Sequence, residues 1–228
     1  MISNRLLLLP YVAPYLAYVF IASVLADFTS IELNYILRFI AVASLLVWAW
    51  RWYIPLTGPR SPVASSLIGV ITGLLGTVLW ILLLLPMADT VEMTPWSPAA
   101  FILRLLAASL LVPVFEELLM RGFIFRLAYQ WGEARKKKID QPLVTVLHDR
   151  SINRIPTGVW SWTAVVISTL VFTSGHHSSE WPASIAYGLL MSALLIIRKD
   201  LLSCIVAHAV TNLSLALYIL KTGKWHLW

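Results

Sequence analysis

Charge is scarce in this chain. Only 12% of its 228 residues are Asp, Glu, Lys or Arg, about half the share of an ordinary soluble domain. With 59% hydrophobic residues and a mean hydropathy of +0.80, that scarcity excludes a soluble globular protein. It also leaves no room for a separate soluble domain of ordinary size. Cysteine is reduced to Cys204, so no intramolecular disulfide can form. The alternation of apolar and polar residues that builds a transmembrane β-barrel is absent. No internal repeat or low-complexity tract stands out, which weakens a secondary-transporter reading. No His-Glu-x-x-His sequence occurs, so no local spacing demands zinc.

Long apolar runs are what the chain has instead. At about 20 apolar residues per span, they predict an all-α integral membrane protein, a bundle of about seven transmembrane helices with eight as the alternative count. The spans are 6–26, 35–50, 65–87, 99–130, 159–176, 183–197 and 201–220. The fourth is long and interrupted by Pro113, and the sixth is short. The first ends in Val24-Leu25-Ala26, which resembles a signal-peptidase site, but its apolar stretch is long for a signal peptide and it is read as a retained helix.

The net charge of +6 reads as topology, with no nucleic-acid partner implied. Segment 27–34 is acidic, and segment 88–98 carries Asp89 and Glu92. The alternate connections are basic: Arg51 and Arg60, then Arg135 to Lys138 with Arg150 and Arg154 in loop 131–158, then Arg198 and Lys199. The expectation is a multi-pass protein of a bacterial inner membrane. Its N-terminus is cytoplasmic, loop 131–158 is cytoplasmic, and its C-terminus is external, although Lys221 and Lys224 oppose that last placement. The KKK run in loop 131–158 reads as a lipid-headgroup signal.

Residues 1–98 read as scaffold helices, with Gly69, Gly73 and Gly76 forming a small-residue face suited to close helix approach. Residues 99–220 hold the chemistry. Glu116 and Glu117 sit side by side in an apolar helix, where each carboxylate costs roughly 2.5–3.5 kcal/mol on the lenient insertion scale. Arg121 is four residues after Glu117, on the same helix face and within ion-pair reach. Glu116 points about 100° away. One carboxylate can therefore pair with Arg121 while the other acts as a general base; a plain structural ion pair is the alternative. His176 follows in Phe172-Thr-Ser-Gly-His176-His177, before a 177–184 segment expected to dip into the membrane. His208 and Asn212, four residues apart, offer two donors suited to a developing oxyanion, or to interhelical hydrogen bonds. Cys204, one turn before His208, is a weaker candidate nucleophile. Helix rise measured from the basic side places Glu116 about 20 Å deep, His176 about 25 Å and His208 about 12 Å, so tilt has to bring the three together.

In order and spacing, Glu116-Glu117-Leu-Leu-Met-Arg121, Phe172-x-x-x-His176 and His208-x-x-x-Asn212 resemble the CAAX-protease and bacteriocin-processing family, which includes the type II CAAX prenyl endopeptidases. The resemblance covers about residues 99–220. It implies a glutamate-type intramembrane endopeptidase in which Glu116 activates water with His176 assisting, His208 and Asn212 stabilise the oxyanion, and Glu117 and Arg121 organise the site. It implies a membrane-associated protein or peptide substrate, compatible with a lipid group or a C-terminal membrane anchor. No cofactor is expected; a zinc site drawn from Glu116, Glu117, His176, His177 and His208 is the alternative. A non-catalytic scaffold or immunity protein of the same fold is the competing class, with a proton-coupled transporter behind it. Loop 131–158 is longer and more basic than the compact bacterial members suggest.

Overall fold

The computed structural model describes residues 2–85 and 95–227, apart from the side chain of His226. Asp89 and Glu92 lie outside the described residues. Among those described, eight α-helices and a few single 3₁₀ turns make up all the regular structure: α1 (Asn4–Val24), α2 (Ile31–Ala49), α3 (Pro62–Leu84), α4 (Pro98–Lys136), α5 (Pro142–Asp149), α6 (Trp162–Ser174), α7 (Trp181–Arg198) and α8 (Leu202–Thr222). Their starts are written locally. The hydroxyls of Ser30, Ser97 and Ser161 accept from the backbone amides of Leu33, Ala100 and Ala164, capping α2, α4 and α6. Prolines 62, 98, 142 and 182 occupy first-turn positions, where an amide would have had no partner.

Among the described residues six helices are long and apolar enough to cross a membrane, so the chain is an integral multi-pass membrane protein. The expected order of lengths is corrected at one point. The short element is the fifth, α6, whose 13 residues reach only about 20 Å, while the sixth, α7, has 18. The 177–184 segment is not an extended dipping loop. It is one 3₁₀ turn (Ser178–Glu180) leading directly into α7.

α4 runs for 39 residues through two wide π-helical turns, Ala107–Leu111 and Leu118–Ile124. The first has a legible cause. Val112 donates five residues back to the Ala107 carbonyl, which passes the next such bond to Pro113, a residue without an amide hydrogen. The Ala108 carbonyl is therefore left for a side chain to satisfy.

α3 and α8 pack along most of their length because glycine removes the barrier. A Cβ on Gly69 would lie 2.8 Å from the Ser203 carbonyl oxygen, and one on Gly73 2.5 Å from that of Ala207. One on Gly76 would strike the Tyr187 ring at 2.7 Å. The small-residue face thus seats the helix that carries His208 and Asn212.

The connections separate into two ends. At one, Asn4 clasps α4 to loop 131–158: its amide group donates to Gln130 at 2.7 Å and to the Val146 carbonyl at 2.8 Å, and its side-chain oxygen accepts from the Ile152 amide at 2.6 Å. At the same end the Leu56 carbonyl accepts from the Leu201 and Leu202 amides at the head of α8. Loop 131–158 is hence partly helical and pinned, with Lys136, Lys137 and Lys138 exposed. Arg198 is less of a surface charge than expected. It is buried, donates to Ser65 at 2.8 Å and lies 3.9 Å from Asp200. At the opposite end Ser97 donates to Glu32 at 2.6 Å, and the Phe101 and Trp225 rings meet at 5.7 Å.

Replacing Gly73 with Val forces the α3 and α8 backbones apart, at a cost of about 1–3 kcal/mol for overpacking. Thermal unfolding in detergent should show a clear drop for Gly73→Val and little change for Gly122→Ala, whose nearest neighbour is a side-chain atom at 3.3 Å.

Candidate active site

The buried polar groups of α4 and α8 meet in one line. The Glu117 carboxylate sits 3.2 Å from an Arg121 guanidinium nitrogen, four residues on. The same oxygen of Glu117 accepts from Nδ1 of His208 at 2.9 Å. His208 Nε2 then faces Glu116, 3.9 Å away. Read along the line, the order is Arg121, Glu117, His208, Glu116, so that acid and base alternate. Glu117 and Arg121 are 0% and 1% exposed, whereas Glu116 retains 17% of its side-chain surface. The two adjacent carboxylates thus occupy different environments: one is sealed between two nitrogen donors and the other faces open space.

That space is a cavity of about 210 Å³. Glu116, His176, His208 and Asn212 all line it, while Glu117 and Arg121 lie behind the wall. The three sequence motifs, spread in depth by helix rise alone, converge. The Arg121 guanidinium stacks 5.1 Å from the Phe172 ring, tying the first motif to the second. Glu117 ties the first to the third.

His176 is held by its own helix end. Its Nδ1–H donates to the Phe172 carbonyl at 3.0 Å, which leaves Nε2 to work. Its ring lies 4.6 Å from that of Phe172 and 5.4 Å from that of Trp80. Gly175 makes this turn possible, since a Cβ there would sit 2.6 Å from the Tyr15 hydroxyl. Asn212 donates at 2.7 Å to the Ala108 carbonyl, the one that Pro113 leaves over. It therefore keeps one amide hydrogen for another partner.

Other residues of the cavity carry no local sequence motif. Tyr187 is buried, donates to Thr211 at 3.2 Å and sets its ring edge-on to His208 at 5.8 Å. Thr211 lies 2.9 Å from the carbonyls of Gly73 and Ala207, joining the cavity wall to the glycine seat. Trp80 of α3 and Arg104 of α4 complete the lining toward one end. A tyrosine within an otherwise apolar helix was the available signal for Tyr187. Cys204 is fully buried, contacts the Met191 and Asp200 carbonyls and does not line the cavity.

The zinc alternative meets a mixed result. Both histidines have the Nδ1 partner that a metal ligand requires, a carbonyl for His176 and a carboxylate for His208. Yet among the described residues no three His, Cys, Asp or Glu side chains are gathered to hold an ion, and His177 is exposed and absent from the lining. The donor set as arranged does not fit a three-ligand zinc site.

Arg121→Ala would leave Glu117 buried with an uncompensated charge, a change that costs roughly 3–5 kcal/mol when one partner of a buried pair is removed. The expected outcome is a large fall in thermal stability in detergent; a melt superimposable on wild type would contradict the pairing.

A family model described as type II CAAX prenyl endopeptidase Rce1-like matches residues 98–214, just over half of the chain and all three motifs. No curated protein and no solved structure matches the chain.

Proposed function

Since the chain belongs to the Rce1-like family of type II CAAX prenyl endopeptidases, whose membership carries peptidase activity at the level of the family, we propose that it is an intramembrane endopeptidase in which Glu116 activates the attacking water. The observation that carries this reading is the unequal placement of the two glutamates. Glu117 is sealed against Arg121 and His208, while Glu116 faces the cavity beside His208.

In this mechanism Glu116 removes a proton from water as the oxygen adds to a peptide carbonyl. His176, with Nδ1 committed to the Phe172 carbonyl, accepts a hydrogen bond from the same water at Nε2. The carbonyl oxygen becomes an oxyanion. Asn212 offers it the amide hydrogen that Ala108 does not use, and His208 offers Nε2–H. For His208 to do so while Nδ1–H stays on Glu117, both ring nitrogens must carry protons, and the Glu117 carboxylate supplies the counter-charge. Glu116 then returns its proton to the leaving nitrogen as the C–N bond breaks, so the base ends as it began. No step passes through a metal ion.

The substrate in this reading is a membrane-associated protein or peptide, drawn into the cavity as an extended segment. A scaffold or immunity role would not require Glu116 and His176 to keep free working faces on one cavity, so the enzyme reading is preferred.

Glu116→Gln and His176→Ala should remain folded and membrane-inserted at wild-type levels while cleavage falls by at least the roughly 10²–10⁴-fold that a general base contributes. Comparing membrane proteomes of cells carrying wild type and Glu116→Gln should reveal an unprocessed precursor. Normal processing by both variants would refute the catalytic assignment. Once a substrate is in hand, cleavage by purified protein should persist in strong chelator; stoichiometric zinc whose removal stops cleavage would replace this mechanism with the metal-dependent one.

A further inference from the structure

The two ends of the bundle differ in charge: the connections and terminus at the cavity end carry Lys221 and Lys224 together with the acidic Asp27, Glu32 and Glu180, and the cavity belongs to that end alone. Arg5, Arg51, Arg60, Arg135 to Lys138, Arg150 and Arg154 lie on the termini and connections of the end where Asn4, Leu56 and Leu201 meet. None of these residues lines the cavity. Its rim is drawn from the other end: Glu180 from the α6–α7 turn, Leu227 from the C-terminal segment, Trp80 from the last turns of α3 and Arg104 from the first turns of α4. Toward the basic end the floor is closed by the sealed Glu117–Arg121 pair, and beneath it Gly122 packs against Tyr11 and Leu201.

Basic connections stay on the cytoplasmic side. From the rim and the floor we infer that the cavity is entered from the external face of the membrane. Resting on the endopeptidase reading, this narrows the substrate class. The scissile bond belongs to a translocated segment presented at the outer leaflet, such as the external flank of a membrane anchor or an exported lipid-linked chain. A C-terminus delivered from the cytoplasm does not reach Glu116.

Cys204 is fully buried, so the chain carries its own silent background for thiol labelling. Three single substitutions suffice: Glu180→Cys at the rim, Ala108→Cys in the cavity wall and Lys138→Cys at the basic end. A small, charged, membrane-impermeant thiosulfonate is applied to right-side-out and to inverted membrane vesicles containing the full chain. The expected result is labelling of Glu180→Cys and Ala108→Cys in right-side-out vesicles only, and of Lys138→Cys in inverted vesicles only. Labelling of Ala108→Cys from the same face as Lys138→Cys would overturn the inference, as would an Ala108→Cys that reacts from neither face. Labelling needs no cleavage, so its failure is distinct from failure of the protease reading, which the precursor comparison tests.

Discussion

Glu117 is a buried carboxylate held between the Arg121 guanidinium on its own helix and the Nδ1 of His208 on another. An ion taken out of water is tolerated only when its partners and geometry repay the desolvation. Here the partners come from different motifs, so the requirement to satisfy one charge fixes how α4 and α8 stand to each other. It also fixes the imidazole, whose second nitrogen is turned toward Glu116. The rest of the site depends on that arrangement. Arg121 reaches onward to the Phe172 ring, and Phe172 holds His176 through its carbonyl.

The backbone supplies what side-chain pairing cannot. Pro113 and the wide turn before it release the Ala108 carbonyl, and Asn212 is anchored by it. Gly73 and Gly76 let α3 press against α8, which sets the height of His208 and Thr211. Gly175 lets the α6 end pass under Tyr15. These residues react with nothing, yet each places a side chain that lines the cavity.

Much of this was legible in the sequence. The apolar runs gave the helices, and the i, i+4 spacing of Glu117 and Arg121 gave their pairing. The 100° offset gave Glu116 a different outlook. What sequence spacing could not supply was contact across helices. The bond from Glu117 to His208, the hold of Ala108 on Asn212 and the place of Tyr187 in the wall all join residues far apart in the chain. The relative lengths of the fifth and sixth spans were misjudged because hydropathy marks apolar residues, whereas Ser161 and Gly175 mark where α6 starts and stops. Arg198 read as a surface charge because its partner Ser65 lies on a distant helix.

The account rests on the two glutamates doing different work, one holding the fold of the site and one facing the cavity as the base. Paired thermal melts and cleavage assays of Glu116→Gln and Glu117→Gln test that division most directly. Glu117→Gln should melt far below wild type, since it strips the buried Arg121 and His208 of the negative charge they share. Glu116→Gln should melt like wild type and fail to cleave. Equal melting of the two variants, or cleavage retained by Glu116→Gln, would contradict the division.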